Sequence, residues 1–310
     1  MYCRSLIVLC VVCMSVFVET AREEPGLARA ARIIGGTTAN EGEWPWLVNL
    51  RGKIVTRTTF FGLIPTAHKH LFCGGSVISD RWILTAAHCF DDRQVKKKTH
   101  IYSRNWEAKM ASVNLRDGIV DRLRHLAGTI FNRRDWRTWE IDVERIVIHP
   151  GYSGRNGWSH DIALVKLKRS VPSGQDFSRI RRVKLPATND TSFPAIGSTC
   201  KMKGWGCTSG GGSIAESARS VDLPIFSPRR CRNIFAATGM ANRICAGYMY
   251  SGRGICAGDS GGPLTCQNDI GEWVQVGVAS FASRDTPGRY PAVFTRVSSY
   301  LEWIKRVTGL

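Results

Sequence analysis

Short apolar runs, separated by polar and turn-forming residues, are the dominant pattern along this chain. After residue 33, β-branched and aromatic residues cluster over strand-length segments, and Gly, Pro and Asn interrupt them at frequent intervals. Such runs, bounded by turn residues, are typical of an all-β barrel or sandwich. The clearest predicted strands are Trp46–Leu50, Ser76–Ser79, Ile162–Leu167 and Val274–Val278.

One segment near the carboxyl end has helical rather than strand periodicity. Apolar residues recur at helical spacing between Tyr300 and Val307, and Ser298 and Ser299 precede them. Serine is a preferred residue at the start of a helix because its hydroxyl accepts a bond from a free backbone N–H group. The pattern predicts a short α-helix over about 298–308, capped by the two serines.

The amino terminus has the pattern of a secretory signal. Arg4 precedes an apolar run from Leu6 to Val18, and small residues follow at Thr20 and Ala21. The run is about 13 residues long, whereas a membrane span needs about 20. We expect a signal peptide at 1–20, followed by a polar segment at 21–32; a buried amino-terminal helix is the alternative to the signal peptide. The mature protein is then secreted and extracellular, without a membrane partner.

The cysteines agree with secretion. The chain has 11 cysteines, and three of them lie in the predicted signal. An even number remains, which indicates disulfides in a secreted chain, although eight cysteines allow 105 pairings. A zinc site is the competing interpretation, and it fails because no Cys-x-x-Cys pair occurs among the eight cysteines that follow the signal. The eight are Cys73, Cys89, Cys200, Cys207, Cys231, Cys245, Cys256 and Cys266.

Composition and charge narrow the class of protein. Hydrophobic residues make up 43% of the 310 residues, which argues against disorder. The formal net charge is +18, and residues 93–137 alone hold twelve Lys or Arg against four Asp or Glu. This basic stretch is either a solvated surface loop or an anion-binding exosite for a sulfated polysaccharide. Charge is the one argument for nucleic acid, and secretion weighs against that partner.

Three short motifs carry candidate catalytic chemistry. Ser260 lies between glycines in Gly258–Pro263, where a hydroxyl and backbone N–H groups can face a developing oxyanion. His88 follows Thr85-Ala86-Ala87, and Asp161 opens an apolar run. Each motif alone has an ordinary structural explanation. The order of the three motifs excludes an α/β-hydrolase. That fold needs Ser, then the acid, then His, whereas the last histidine of this chain, His160, precedes Ser260.

With these motifs in the order His, Asp, Ser, the sequence resembles the trypsin/chymotrypsin family of serine proteases over residues 33–310. Further matching segments are Cys73–Ser76, His149–Tyr152 and Gly204–Gly206. The resemblance implies a fold of two six-stranded antiparallel β-barrels with a short C-terminal α-helix. It assigns about 33–172 to the first barrel and about 187–297 to the second.

The resemblance also assigns a mechanism. Ser260 would attack the scissile carbonyl, His88 would transfer the proton, and Asp161 would orient His88. The N–H groups of Gly258 and Ser260 would form the oxyanion hole.

The resemblance implies a zymogen as well, with an activation propeptide at 21–32. Cleavage between Arg32 and Ile33 by an activating protease would free an ammonium group, which would pair with Asp259. The partners implied by the family are protein or peptide substrates and protein inhibitors. The enzyme is expected to be a monomer.

Three disulfides follow from the resemblance: Cys73–Cys89, Cys200–Cys266 and Cys231–Cys245. The fourth departs from the family pattern, because no cysteine follows the segment Ser280–Ser283 where the partner of Cys256 is expected. The remaining cysteine is Cys207, just after Gly204–Gly206. In the family fold that loop runs beside the segment that contains Cys256, so the resemblance leads us to expect a Cys207–Cys256 bridge.

Substrate preference is predicted from the positions that match the family's specificity pocket. Gly254 stands where trypsin-like members carry an Asp, so a basic side chain would lack a counter-ion. Ala282 and Ala292 stand where many members of the family have glycine, and their methyl groups would narrow the pocket. We expect cleavage after small or medium aliphatic residues, as in elastases; aromatic residues are the nearest rival, and acidic residues a weaker one. The pocket residues are Gly254, Ile255, Ser280, Phe281, Ala282 and Ala292.

Several further expectations concern the surface. The segment Arg51–Leu71 is expected to be a long loop, in which His68 and His70 are either a metal-ligand pair or, more often for such residues, surface side chains. Asn189 opens a glycosylation sequon. No metal and no cofactor are expected. The alternative to an active peptidase is a non-catalytic homologue that binds a partner or sulfated polyanion through its basic loops.

Overall fold

Thirteen β-strands, four 3₁₀ turns and two short α-helices make up the part of the chain that this computed structural model describes. The described residues are 34–59, 64–91, 101–116, 139–154, 158–171, 180–189, 191–235, 240–283 and 286–310. The strands are β1 Thr37–Thr38, β2 Leu47–Thr59, β3 Ile64–Val77, β4 Trp82–Thr85, β5 Trp106–Met110, β6 Trp139–Ile148, β7 Ala163–Leu167, β8 Thr199–Gly204, β9 Arg219–Phe226, β10 Arg243–Ala246, β11 Pro263–Gln267, β12 Trp273–Phe281 and β13 Ala292–Arg296. The α-helices are α1 Pro228–Phe235 and α2 Leu301–Thr308.

The first barrel is closed by six antiparallel strands in the order β2-β3-β4-β7-β6-β5. All four residues of β4 are buried, because β4 pairs with β3 on one side and with β7 on the other. The interior is filled by aliphatic side chains such as Leu50, Ile83 and Leu164, which are fully buried. Closure leaves no free strand edge on this barrel.

The second barrel is also closed by six antiparallel strands, as the sequence predicts. Its order is β9-β10-β13-β12-β11-β8, and β8 pairs with both β11 and β9. The two-residue strand β1 adds to the outside of β9, where Thr37 pairs with Ser220. The sequence-based boundary places this amino-terminal segment with the first barrel, whereas its backbone bonds are made to the second.

The segment expected as a long loop between Arg51 and Leu71 is instead the outer part of the β2–β3 hairpin. Arg51 pairs with Phe72, and the ladder continues outward to Thr59 opposite Ile64. Ile54 is 1% exposed, and Gly52 lies against the ring of Trp106, so this part of the hairpin packs on the barrel. These long-range contacts extend the strands beyond what local sequence predicts.

The carboxyl-terminal helix starts later than the serines suggest. A 3₁₀ turn spans Val297–Tyr300, and α2 follows it. Tyr300 occupies the position before the helix and provides no side-chain cap. The hydroxyl of Ser298 is buried and has no hydrogen-bond partner within the described residues, so the capping predicted for Ser298 and Ser299 is wrong.

Four disulfides are present, and each joins two segments of the same barrel. They are Cys73–Cys89, Cys200–Cys266, Cys207–Cys256 and Cys231–Cys245. The Cys207–Cys256 bridge spans 49 positions of sequence and joins the loop after β8 to the loop before β11. Among the described helices, none has the length and hydropathy needed to cross a membrane.

Candidate active site

His88, Asp161 and Ser260 come from loops and turns of the two barrels. His88 lies in the 3₁₀ turn Ala87–Phe90 that follows β4, and Asp161 lies just before β7 in the same barrel. Ser260 lies in the loop before β11 of the second barrel. The backbone carbonyl of Ser260 accepts a bond from Gly74 N of the first barrel at 2.7 Å, so the two barrels are in direct contact here.

Asp161 is held by donors from both barrels. Its side chain is 0% exposed and accepts bonds from His88 N and His88 Nδ1, each at 2.8 Å. The Ser280 hydroxyl, from β12, donates to the same carboxylate at 2.5 Å. A third group, the Thr295 hydroxyl, donates to the backbone carbonyl of Asp161 at 2.7 Å. A carboxylate fixed in this way holds a proton on Nδ1 of His88 and leaves Nε2 as the basic nitrogen.

The imidazole of His88 lies against the indole of Trp158. The ring centroids are 4.5 Å apart and the planes are inclined by 20°, and the histidine side chain is only 12% exposed. Trp158 has a φ of 56°, which is uncommon for a residue with a side chain. Its ring also forms an edge-to-face pair with Phe281, with the ring centroids 6.2 Å apart. The stack excludes water from one face of the imidazole.

The remaining ring nitrogen of His88 is free in this state. Nε2 is buried and has no hydrogen-bond partner among the described residues, which include Ser260. Such bonds are often long or poorly aligned in substrate-free enzymes and tighten when substrate binds. A buried ring nitrogen without a partner is therefore available to accept a proton.

Gly258 and Ser260 present free backbone donors. Within the described residues, neither N–H group donates a backbone hydrogen bond. Gly258 has a φ of +99°, and a Cβ there would lie 2.8 Å from a methyl of Ile214. Glycine is required by both the backbone conformation and the space. The two N–H groups are the donors that an oxyanion hole needs.

Asp259 is fully buried beneath these donors. One carboxylate oxygen accepts a bond from Gly206 N at 2.8 Å, and the other accepts one from Cys256 N at 2.9 Å. Burial raises the pKa of Asp259 to about 6, and the two backbone bonds act in the opposite direction. No cation forms an ion pair with this carboxylate among the residues described. Arg32 and Ile33, expected to flank the activation cut, lie outside those residues, while the carbonyl of Ile34 accepts a bond from Gly254 N at 3.0 Å.

A cavity of about 750 Å³ opens beside Ser260. Four of the six expected pocket residues line it: Ile255, Ser280, Phe281 and Ala282. The expected wall residue Ala292 is 2% exposed within β13 and belongs to the core of the second barrel instead. Gly254 is not among the lining residues; its N–H group donates to the carbonyl of Ile34, and it packs closely on Gly288. The further lining residues are Trp158, Cys207, Gly210, Gly211, Gly212, Cys256, Ala257, Ser283 and Pro287.

Some of these residues escape sequence reasoning because local patterns do not mark them. Trp158 precedes Asp161 by three positions in a segment without regular periodicity, so its stack on His88 is not predicted. Ser280 is expected in the pocket wall, but the sequence does not indicate its bond to Asp161. The run Gly210–Gly212 is visible as a glycine cluster, which could have indicated a close approach to a ligand.

The surface expectations fall partly outside the described residues. Of the basic stretch 93–137, only 101–116 is described. His68 and His70 are exposed on β3, paired with Val55 and Lys53. No group of three or more potential metal ligands occurs in the described ranges. Asn189 is exposed.

Comparisons with known proteins agree with this geometry. The family model described as Trypsin matches residues 33–304. The chain is 33% identical over 296 residues to serine proteinase stubble of Drosophila melanogaster, covering 93% of this chain and 33% of that protein. It is 33% identical over 278 residues to ovochymase of Halocynthia roretzi, covering 89% of this chain and 15% of that protein.

A third relative is the suppressor of tumorigenicity 14 protein homolog of Bos taurus. The two chains are 31% identical over 283 residues, which is 91% of this chain and 29% of the bovine one. This chain thus spans a third or less of the length of these three relatives. The family match covers most of the chain, and the fold has the two barrels expected for it. The chain belongs to the trypsin/chymotrypsin-like family of serine proteases.

Proposed function

We propose that this chain is a secreted serine endopeptidase that hydrolyses peptide bonds through His88, Asp161 and Ser260. The observation that carries the proposal is the buried Asp161, which holds His88 by two bonds of 2.8 Å and leaves Nε2 without a partner in the described structure. Such a histidine can take the proton of Ser260 as the hydroxyl attacks a carbonyl.

The mechanism follows from these groups. Ser260 Oγ bonds to the scissile carbonyl carbon while its proton passes to Nε2 of His88. The carbonyl oxygen becomes an oxyanion that the N–H groups of Gly258 and Ser260 stabilise. The imidazolium then protonates the leaving amine, the peptide C–N bond breaks, and an acyl-enzyme remains. Water, deprotonated by the same nitrogen, hydrolyses the ester and restores Ser260.

Activation by cleavage between Arg32 and Ile33 is part of the proposal. Asp259 is a fully buried carboxylate with two backbone donors but no cation among the described residues. A buried carboxylate is stabilised strongly by an opposite charge. The new Ile33 ammonium would supply it, since Ile34 is already bound beside Gly254.

Cleavage after small or medium apolar residues is the proposed preference. The described lining of the cavity contains no charged side chain, and Ile255, Phe281 and Ala282 give it apolar walls. A lysine or arginine side chain would be buried there without a counter-ion. Of the two alanines expected to narrow the pocket, Ala282 alone lines the cavity, so the narrowing rests on that methyl group.

A peptide library with varied residues before the scissile bond tests the proposal on protein cut at Arg32–Ile33. We expect cleavage after Ala, Val or Leu by the wild type and none by Ser260→Ala. Replacing Ala282 with Gly should shift the preference toward Phe and Tyr by roughly tenfold, since one methylene-sized change is worth about 1–3 kcal/mol. Ala292→Gly is the matched control and should not shift it. Cleavage after Lys or Arg by the wild type would contradict the proposed pocket, and no cleavage at all would favour a non-catalytic binding homologue.

A further inference from the structure

The Cys207–Cys256 disulfide lies directly beside the candidate oxyanion hole. Cys256 begins the turn that carries Gly258 and Ser260, and Asp259 N closes this turn by donating to Cys256 O at 3.0 Å. Cys207 begins the glycine-rich loop that lines the cavity. Cys207 is 2% exposed, so the bridge is packed inside the protein at this point.

The same two segments are joined by bonds that flank the bridge. Cys207 N donates to the carbonyl of Ala257 at 2.8 Å, one residue past the disulfide. On the other side, the Asp259 carboxylate spans Gly206 N and Cys256 N. Two neighbouring residues after β8 therefore hold three residues of the turn, Cys256, Ala257 and Asp259, through one covalent and two hydrogen-bonded links.

Gly258 is enclosed by the partners of this attachment. Ile214 pairs with Cys207 in an isolated β-bridge, and its methyl lies within 2.8 Å of the position of a Cβ at Gly258. The Cα of Gly206 is 3.2 Å from the same position. The peptide plane that carries the Gly258 N–H therefore rests on the segment that the bridge anchors.

We propose that Cys207 is a positioning residue for the oxyanion hole and acts through its disulfide to Cys256. The bridge fixes the turn Cys256–Ser260 on the end of β8, so that the N–H groups of Gly258 and Ser260 keep a common direction while charge develops on the substrate oxygen. This inference rests on the proposed peptidase function. Donors held in place before reaction stabilise the transition state without the cost of reorganising them.

A pair of double variants separates positioning from general stability. Cys207→Ala with Cys256→Ala removes the bridge. Cys231→Ala with Cys245→Ala is the matched control, because that bridge joins α1 to β10 and adds no residue to the cavity. Both should lower thermal stability, since each removes a native disulfide. After cleavage at Arg32–Ile33, we expect kcat of the first variant to fall roughly tenfold or more with KM within about twofold, and kcat of the control to stay near that of the wild type.

A readout specific to the oxyanion is the inhibition constant of a peptide aldehyde, which forms a hemiacetal with Ser260. The Cys207/Cys256 variant should bind the aldehyde more weakly by the same factor as the fall in kcat, while a product peptide of the same sequence binds unchanged. If that variant does not fold, Ile214→Ala removes the methyl against Gly258 without touching the bridge, and a smaller fall confined to kcat and aldehyde affinity is expected.

Unchanged kcat and aldehyde affinity in folded protein lacking the bridge, or equal losses in the control, would overturn the inference. Inactivity of the wild type and of every variant would instead overturn the proposed function on which it rests.

Discussion

Ser280 of the second barrel contacts Asp161, a candidate catalytic residue of the first barrel. Its hydroxyl donates to the Asp161 carboxylate at 2.5 Å from β12, while His88 contacts the same carboxylate from the first barrel. A hydrogen bond to a charged group contributes about 1.5–3 kcal/mol when the group is buried. The sequence places Ser280 near the pocket, but it cannot reveal the direction of the hydroxyl.

Replacing Ser280 with alanine should lower kcat/KM roughly tenfold or more, because Asp161 loses one of its donors and holds His88 less firmly. Steady-state hydrolysis of the preferred peptide measures this effect. Ser283→Ala is the matched control, since Ser283 lines the cavity and, within the described residues, its hydroxyl bonds to Thr286 and not to Asp161. Equal activity of the two variants would show that Ser280 does not support the pair.

Lys203 is a second residue with an unusual environment, because its amino group is buried among aromatic rings. Its side chain is 3% exposed, and its ammonium nitrogen lies over the ring of Trp44 and 5.8 Å from that of Trp273. Burial lowers the pKa of Lys203 to about 6. Glu43, at 3.9 Å, and Asp222 act in the opposite direction, and Lys201 adds to the lowering.

Because Lys203 has a pKa of about 10.5 in the unfolded chain and about 6 in the folded one, the unfolded state holds the extra proton between these values. The free energy of unfolding should therefore rise with pH across this window, relative to Lys203→Met, by up to about 1.4 kcal/mol per pH unit. Urea unfolding of both proteins at pH 6.5, 7.5 and 8.5 measures the difference. Lys201→Met, at a 37% exposed position of the same strand, retains Lys203 and should therefore keep the pH dependence of the wild type. Parallel pH profiles of wild type and Lys203→Met would refute the burial of an uncharged amine.

The β2–β3 hairpin is the element that departs most from sequence-based expectation. Short apolar runs locate β7 and β12 because each is flanked by neighbouring strands on both sides. Between Arg51 and Leu71, basic and polar residues and Pro65 dilute the pattern, so a loop is predicted. The strands continue there because Gly52 and Ile54 pack on the barrel, and such contacts depend on Trp106, which is distant in sequence.

Ile54 and Val55 provide a matched test of this packing. Ile54 is 1% exposed and its neighbour Val55 is 38% exposed. Ile54→Ala should lower the free energy of unfolding by about 2–5 kcal/mol, because it leaves a cavity in the core. Val55→Ala should change it by less than about 0.5 kcal/mol. Guanidinium unfolding monitored by tryptophan fluorescence distinguishes them, and similar small effects would mean that the hairpin does not pack as described.

At the scale of the whole molecule, the candidate site exists only where the two barrels meet. His88 and Asp161 belong to the first barrel, and Ser260, Ser280 and Gly258 belong to the second. The order His, Asp, Ser identifies the family and its three motifs from the sequence. The stack of Trp158 on His88 is a long-range consequence of folding that no local pattern indicates. The glycine run 210–212 is visible in the sequence, but its position on the cavity wall depends on the fold.

The most direct test of the account is the covalent reaction of Ser260 with a fluorophosphonate, followed by peptide mass spectrometry. The account predicts one adduct per chain, on Ser260, in protein cut between Arg32 and Ile33. It also predicts a rate at least about a hundredfold lower in His88→Ala, because no general base then takes the serine proton. An adduct on another residue, no adduct in the cut protein, or equal labelling of His88→Ala would contradict it.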